Sequence, residues 1–419
     1  MASSVTPTDC EATTTASDTG WNLPTDIFVE ILLRLPPANR WRLRIVCRHW
    51  RDVIRETPAP SQPTALAFVV NYAEYTAMSA SAYAIDDPAR GRCRELWRSN
   101  NVRPVRYYNQ INHRHEYDRK FDTAMVCTCN GVLCLCDNTV PGGAISLANP
   151  ATGQALAVPP LPGSAHWRIW GTTISSWHEA YAFAYDPDAA RYAVVHVPAC
   201  FDQNGAFGAL KVFTPGPAAA AAWRDVPVPA PGASCRLAAG LVAIGGALHW
   251  VTEGTERVVS FDLVSERVTS ALALPAAARR DVKWRLAEVH GRLGVVGYGE
   301  WWHNPDKTDV WVLGGGGGGG GRDGRQGWSR RYSVQAHGVP QRLAAPHFAH
   351  GEYVLTTGPG VFAHKMRDGG RVRRGEVGSV RISEETPGVR VSGLSGGDGD
   401  SIRILGVFAY VKNEEPFSA

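Results

Sequence analysis

Hydrophobic spacing changes character once along this chain, from a helical rhythm ahead of residue 56 to a strand-and-turn rhythm beyond residue 64. Between Trp21 and Glu56 the polar residues Asp26, Glu30 and Arg34 fall four apart, one narrow stripe on a helix. The positions around them, Ile27, Phe28, Val29, Ile31, Leu32, Leu33 and Leu35, are all apolar. A surface helix of a globular protein shows an apolar arc on one side only. A helix apolar over most of its circumference has to be covered on several sides, and a segment below roughly 40 residues rarely supplies that cover itself. This segment therefore calls for a partner.

Pro36-Pro37 ends the first helix, because proline lacks the amide hydrogen and clashes with the preceding turn. Asn39 suits the N-cap of a second helix, in which Leu43, Val46, Trp50, Val53 and Ile54 recur at helical spacing with Cys47 on the same side. Arg42, Arg44, Arg48, Arg51 and Arg55 occupy much of the remaining surface. Such a run is read either as a solvated basic face or as a basic rim around an apolar anchor, suited to an acidic protein partner.

Beyond the helical pair, Thr57 to Pro63 is proline-rich and predicts a stiff connection. From Thr64 onward the pattern predicts strands and turns. Ala65–Tyr72, Ala180–Tyr185, Arg191–Val197, Leu248–Thr252, Val258–Phe261, Leu293–Tyr298 and Ile402–Val411 read as strands, and Asn130-Gly131 within Met125–Cys136 as a two-residue hairpin turn. Gly131, Gly246, Gly291 and Gly351 each open an apolar strand, two of them after a histidine, at intervals that fit a unit of 45 to 60 residues. The aromatic–Asp turns at Tyr185-Asp186 and Phe261-Asp262 read as equivalent points of that unit. Four-stranded blades of a β-propeller have this period, and residues 64–412 accommodate six or seven of them; a pair of β-sandwiches would show shorter, more even spacing. The predicted fold is thus all-β and propeller-like, behind a small α-helical module. The divisions are a disordered 1–20, the helical module at 21–56, a linker at 57–63, the propeller at 64–412 and a tail at 413–419.

Composition adds bounds. Fourteen tryptophans against four methionines favour aromatic-rich β structure. A net charge of +4 on 419 residues, partly local to the second helix, gives no argument for nucleic acid. No apolar run reaches the roughly 18 residues of a membrane span, and residues 1–20 lack the pattern of a secretory signal. Nine cysteines without framework spacing point to reduced thiols, hence to the cytosol and/or the nucleus.

The helical segment resembles an F-box. Leu23, Pro24, Asp26, Ile31, Leu32, Leu35, Pro36, Arg42, Arg44, Val46, Cys47 and Trp50 match that pattern in order and spacing, while Arg40 stands where leucine is usual and Asn39 replaces serine or threonine. The remainder is similar to the F-box-associated, kelch-like propeller region of plant F-box proteins. It carries Cys129-Asn130-Gly131-Val132-Leu133-Cys134-Leu135, Asn149-Pro150-Ala151-Thr152, Phe183-Ala184-Tyr185-Asp186-Pro187, Ala247-Leu248-His249-Trp250 and Ser260-Phe261-Asp262-Leu263 in that order. The resemblance implies docking on a Skp-type adaptor and, through it, a cullin, with the propeller binding an unknown substrate protein for ubiquitination. It implies Leu23, Pro24, Ile27, Ile31, Leu32, Leu35, Pro36, Leu43, Val46, Cys47 and Trp50 as the adaptor-binding set. The alternative function is a ligand-binding or enzymatic propeller docked to an adaptor without ubiquitin delivery.

No cofactor, metal or catalytic set is expected. Cys127, Cys129, Cys134 and Cys136 surround the Asn-Gly turn, where pairing of 129 with 132, 127 with 134 and 125 with 136 puts four thiols on one face. One-residue spacing on a flat ribbon is poor geometry for zinc, and small apolar packing is the better reading. The octaglycine Gly314–Gly321 lacks the Lys-Ser/Thr end of a phosphate loop and reads as an inter-strand loop. His347 and His350 have no acidic residue beside them in a His-Glu-x-x-His arrangement, and no Gly-x-Ser-x-Gly elbow supports a triad. Binding is better assigned to aromatic- and arginine-bearing loops, Arg103–Arg119 and Trp301–Pro305, unless these only fill gaps between blades.

Overall fold

In the computed structural model the chain divides into two units, Met1–Gln62 and Pro63–Ala419. The structure describes residues 63–414 apart from intervening stretches, chiefly 101–106, 110–113, 117–122, 165–175, 199–206, 217–221, 276–281, 300–306, 315–326, 337–341, 366–377, 383–387 and 390–400. The predicted helical module and its linker up to residue 62 lie outside the described residues.

Residues 63–414 form a ring of six antiparallel blades. Blade 1 is closed by both ends of the chain: Ser401–Tyr410 is its innermost strand, followed outward by Thr64–Ala73, Thr76–Asp87 and Arg92–Ser99. Blades 2, 3 and 4 begin on the inner strands Thr123–Cys129, Tyr181–Asp186 and Val242–Ile244 and count outward in chain order. Blade 5 begins on Val282–Val289, and its outer strand Gly327–Ala336 pairs in parallel with Gly378–Ile382. Blade 6 has a split inner strand, Arg342–Leu343 and then Ala349–His350, both paired with Tyr353–Thr357. The helices with described bounds are the 3-10 turns Trp177–Ala180 and Leu237–Ala239, and among the described residues no helix is long and apolar enough to cross a membrane.

Each inter-blade layer follows from strand alternation. In Thr64–Ala73 the residues Leu66, Phe68 and Val70 face blade 2, and Ala65, Ala67 and Val69 face blades 5 and 6. Both faces are buried, which is why this stretch reads as an unbroken apolar run. In Ala247–Val251, Leu248 and Trp250 pack toward blade 3 and Val251 toward blade 5. The Trp250 indole N–H, fully buried, donates to Ser234 O at 2.9 Å.

Successive strands alternate in direction, so the turns from first to second strand in blades 2 to 6 share one face of the ring, here the turn face. The inter-blade links leave on the opposite, connection face. The four glycines singled out by spacing all occupy that first turn, in blades 2, 4, 5 and 6, with φ of +79°, +76°, +73° and +56°. The 115-residue interval spans blade 3, whose first turn has no such glycine. The aromatic–Asp turns are not equivalent: Asp186 ends the first strand of blade 3, and Asp262 ends the third strand of blade 4. The partner of Asp262 by position is Asn149, which ends the third strand of blade 2. Both accept a backbone amide across the next turn, Asn149 from Ala151 at 2.9 Å and Asp262 from Ser265 at 2.6 Å.

The Asn130-Gly131 hairpin pairs 129 with 132 and 127 with 134, but Met125 opposes Leu135 and not Cys136. A bulge at Val126 inserts one residue, which bends the strand and shifts the pairing beyond it. The four thiols still share the layer between blades 2 and 3. Burial raises all four, Cys129 to about 11, so they stay protonated and pack as small apolar groups. Arg103–Arg119, read as a loop, contains a short hairpin, Tyr107–Asn109 with Arg114–Glu116.

Candidate functional site

The adaptor-binding set Leu23, Pro24, Ile27, Ile31, Leu32, Leu35, Pro36, Leu43, Val46, Cys47 and Trp50 lies outside the described residues, as does the aromatic loop Trp301–Pro305. The described chemistry gathers at the two ends of the inner strands.

At the turn-face end, blades 5 and 6 meet through side chains far apart in sequence. His347 Nδ1 lies 3.2 Å from Glu288 Oε2, and His347 Nε2 lies 3.4 Å from His350 Nδ1. The Gly291 amide donates to Glu288 Oε1 at 2.5 Å, and His290 Nε2 meets the Tyr332 hydroxyl at 2.9 Å. His347 has no acidic residue beside it in a His-Glu-x-x-His arrangement; its carboxylate partner comes instead from the adjacent blade. Burial by itself would raise the Glu288 carboxyl, but the hydrogen bond and charge of His347, with the Gly291 amide, hold it below its usual value. Burial, aided by His347 and His290, pushes His350 down to about 4. The arrangement is a clasp between blades. Among the described residues no group of three or more His, Cys, Asp or Glu is placed to hold a metal.

The same face carries the closure of the ring. Thr128 Oγ1 donates to Ala409 O at 2.5 Å, and Asn149 Nδ2 donates to Asn413 O at 3.1 Å, which seats the segment after blade 1's inner strand on blade 2. Thr64, where the chain enters the propeller, pairs with Tyr410 and so lies at this end as well.

At the connection-face end two charged side chains, Glu179 and Arg285, stand exposed near a bonded Asn–His pair. Asn138 Oδ1 accepts the His178 amide at 3.1 Å and lies 3.3 Å from His178 Nδ1. Next to it Glu179 is exposed in the 3-10 turn that leads into blade 3, and Arg285 is exposed on the inner strand of blade 5. Desolvation, with Arg285 second, pushes His178 down to about 4. Desolvation raises the Glu179 carboxyl and the Arg285 charge opposes it. The inter-blade connections at 100–122 and 158–180 and the loops at 197–208 and 300–306 leave on this face. It is therefore the face with exposed charge and the longer links between strands.

The F-box domain matches residues 21–58 and the F-box associated beta propeller domain matches residues 80–314. The second match spans more than half of the chain, which belongs to the F-box associated β-propeller family. An F-box protein of Arabidopsis thaliana is 24% identical over 354 residues, covering 78% of this chain and 76% of that protein. Solved structures align loosely. A nidogen/laminin complex has 12% identity, 72% of this chain and 89% of that chain covered, and a TM-score of 0.34. The β-propeller domain of Myceliophteria thermophila Cps50 (Swd1) has 12% identity, coverage of 75% and 86%, and a TM-score of 0.33. The chain is thus a plant F-box protein of the substrate-receptor type, and an F-box implies binding to a Skp-type adaptor. Proteins of this family are typically non-catalytic adaptors.

Proposed function

We propose that this chain is the substrate-recognition subunit of a Skp–cullin–F-box ubiquitin ligase working in the cytosol and/or nucleus. The observation that carries the reading is the joining, in one chain, of an F-box at residues 21–58 to a closed propeller. The F-box docks on the adaptor through Leu23, Pro24, Ile27, Ile31, Leu32, Leu35, Pro36, Leu43, Val46, Cys47 and Trp50, and the adaptor brings the cullin. The propeller holds the substrate protein. Its contribution is proximity: a bound substrate meets the ubiquitin donor at high local concentration, and other subunits perform the chemistry.

The test is affinity purification of the full chain co-expressed with a Skp-type adaptor and cullin. Leu43→Asp, which adds a charge to the apolar side of the second helix, is expected to lose the adaptor while the propeller keeps its thermal transition. Adaptor recovery unchanged by Leu43→Asp overturns the assignment of that helix.

A further inference from the structure

The inner strands sort their charges along the axis of the ring. They carry three arginines, Arg285 on blade 5, Arg342 on blade 6 and Arg403 on blade 1, in three consecutive blades. Their two carboxylate positions, Asp186 and Glu288, fall in the halves of their strands nearer the turn face. The heights of the arginines can be compared through one layer of contacts. Glu288 meets His347 across the blade 5–6 boundary, and the His347 amide donates to Val407 O at 3.0 Å across the blade 6–1 boundary. Counted along the paired strands toward the connection face, Arg285 lies three residues above Glu288, Arg342 (opposite Thr357) lies two above Leu355, which bonds both Ala344 and Phe348, and Arg403 (opposite Val70) lies three above Val407 (opposite Ala67). At about 3.3 Å per residue the three stand at similar heights, roughly 7–10 Å above the layer.

Arg285 is exposed and makes no hydrogen bond or ion pair with another described residue. Its side chain runs past Gly240, where an added Cβ would sit 3.9 Å from both Cγ and Nε, and so projects toward the segments leading into blades 3 and 4. There it meets the charge of Glu179 and the ring of His178, which is held neutral. Arg236, on the same lead-in, is already engaged by Glu253 and Glu256. Arg342, exposed, and Arg403, half-buried, each have an interaction partner of their own, which leaves Arg285 as the principal candidate for a ligand. The inner rim of the connection face is therefore arginine-rich over half of its circumference, with Glu179 opposite.

The geometry points to this rim as the docking site for an anionic peptide segment of the substrate, with Arg285 as its principal anchor. The inference deepens the receptor reading and rests on it. A rim that carries one sign of charge over half of its circumference draws in segments of the opposite sign. Guanidinium groups add paired donors that match planar carboxylate or tetrahedral phosphate oxygens. Glu179 sets polarity: it repels an anionic segment from the blade 3 side and directs it over blades 5, 6 and 1.

The test uses the full chain in complex with a Skp-type adaptor and three fluorescent dodecapeptides, alternating Glu-Ala, phosphoserine-Ala and Lys-Ala. Binding is read by anisotropy at low and moderate salt. The inference expects an anionic peptide to bind, the lysine peptide not to, and Arg285→Glu to weaken binding by at least about tenfold with a shallower salt dependence. Arg342→Glu and Arg403→Glu each weaken it less. Binding of both anionic peptides shows that carboxylates suffice; binding of the phosphoserine peptide alone identifies a phosphorylated segment, and either result supports the site. Should Arg285→Glu lower the thermal transition, Arg285→Gln must still weaken binding at unchanged stability. Equal binding of all three peptides, or none, or anionic binding unaffected by Arg285→Gln, overturns the inference. Adaptor co-purification in the same preparation keeps the two claims apart: its loss defeats the receptor reading, whereas its retention without peptide binding defeats only the rim.

Discussion

The two faces of the propeller solve different problems with the same strands. On the turn face the strands within blades are joined by short turns at positive φ, and blades are stapled by the Glu288–His347–His350 clasp and by the segment through Asn413 lying on Asn149. On the connection face, Glu179 and Arg285 stand exposed among the longer links. The contrast teaches that polar groups satisfied across a blade boundary hold the ring closed, whereas polar groups left open at the other end are available to a ligand. Substitutions on the turn face should cost stability, and substitutions on the connection face should cost binding.

The largest break in that contrast is removal of residues 401–419. Blade 1 then loses its inner strand, the apolar faces around Leu66 and Val69 open to water, and the ring loses its closure. No cooperative thermal transition is expected by calorimetry; a transition like that of the full chain would show that closure is dispensable.

Acid comes next and acts on both ends. Burial lowers His178, His249 and His350 to about 4 and His196 to about 3. Their folded-state values lie below the unfolded value of about 6.5, so the folded protein binds fewer protons and stability rises with pH. The stability is fully present above about pH 6.5 and is lost as pH falls toward 4, by an amount on the order of several kcal/mol in all. Urea midpoints measured across that range check it; a flat profile contradicts the burial of these rings.

Gly131→Val sharpens the comparison on the turn face alone. Gly131 has φ of +79°, and an added Cβ would lie 2.6 Å from Asn413 Cβ and 2.7 Å from Asn413 N. The expected loss is roughly 3 kcal/mol. Truncation after Lys412 should restore the part due to Asn413 and leave about 1 kcal/mol or more, from backbone strain and from the tight contact with Val411 O at 3.0 Å. Equal losses in both backgrounds would show that the closing segment does not bear on this turn.

The smallest expected effect is Glu288→Gln, about 1 kcal/mol at neutral pH through loss of a charged hydrogen-bond acceptor. The Glu288 carboxyl is held below its usual 4.5, so its contribution is present above that pH and fades as pH falls through the lower folded value. The difference between wild type and Glu288→Gln should therefore shrink below about pH 4.5. A difference independent of pH would mean that the clasp works without its charge.

Much of this architecture was legible in the chain. The glycine turns marked four of the six blades because each repeats one physical demand, a backbone at positive φ between two apolar strands. The even burial of Thr64–Ala73 was visible as an apolar run, but not which blade each face meets. The bulge at Val126 escaped, because a single inserted residue changes pairing without changing composition. The aromatic–Asp turns misled because an acidic residue that accepts a backbone amide serves the end of any strand. Glu288 and His347 escaped because they are 59 residues apart. A signal did exist: His290-Gly291 and His350-Gly351 are the same turn in successive units, so residues beside them belong to facing strands. Arg285 carries no local signature at all. Its meaning comes only from the position of its strand in the ring.

The central claim is that docking to the ligase and capture of the substrate are separate jobs of this chain. Proximity labelling from the full-length protein with the proteasome blocked, comparing wild type with Leu43→Asp, tests it most directly. The account predicts that Leu43→Asp loses the adaptor and cullin from the labelled set and retains the substrate proteins captured by the propeller. Loss of those proteins together with the adaptor, or retention of the adaptor, would contradict it.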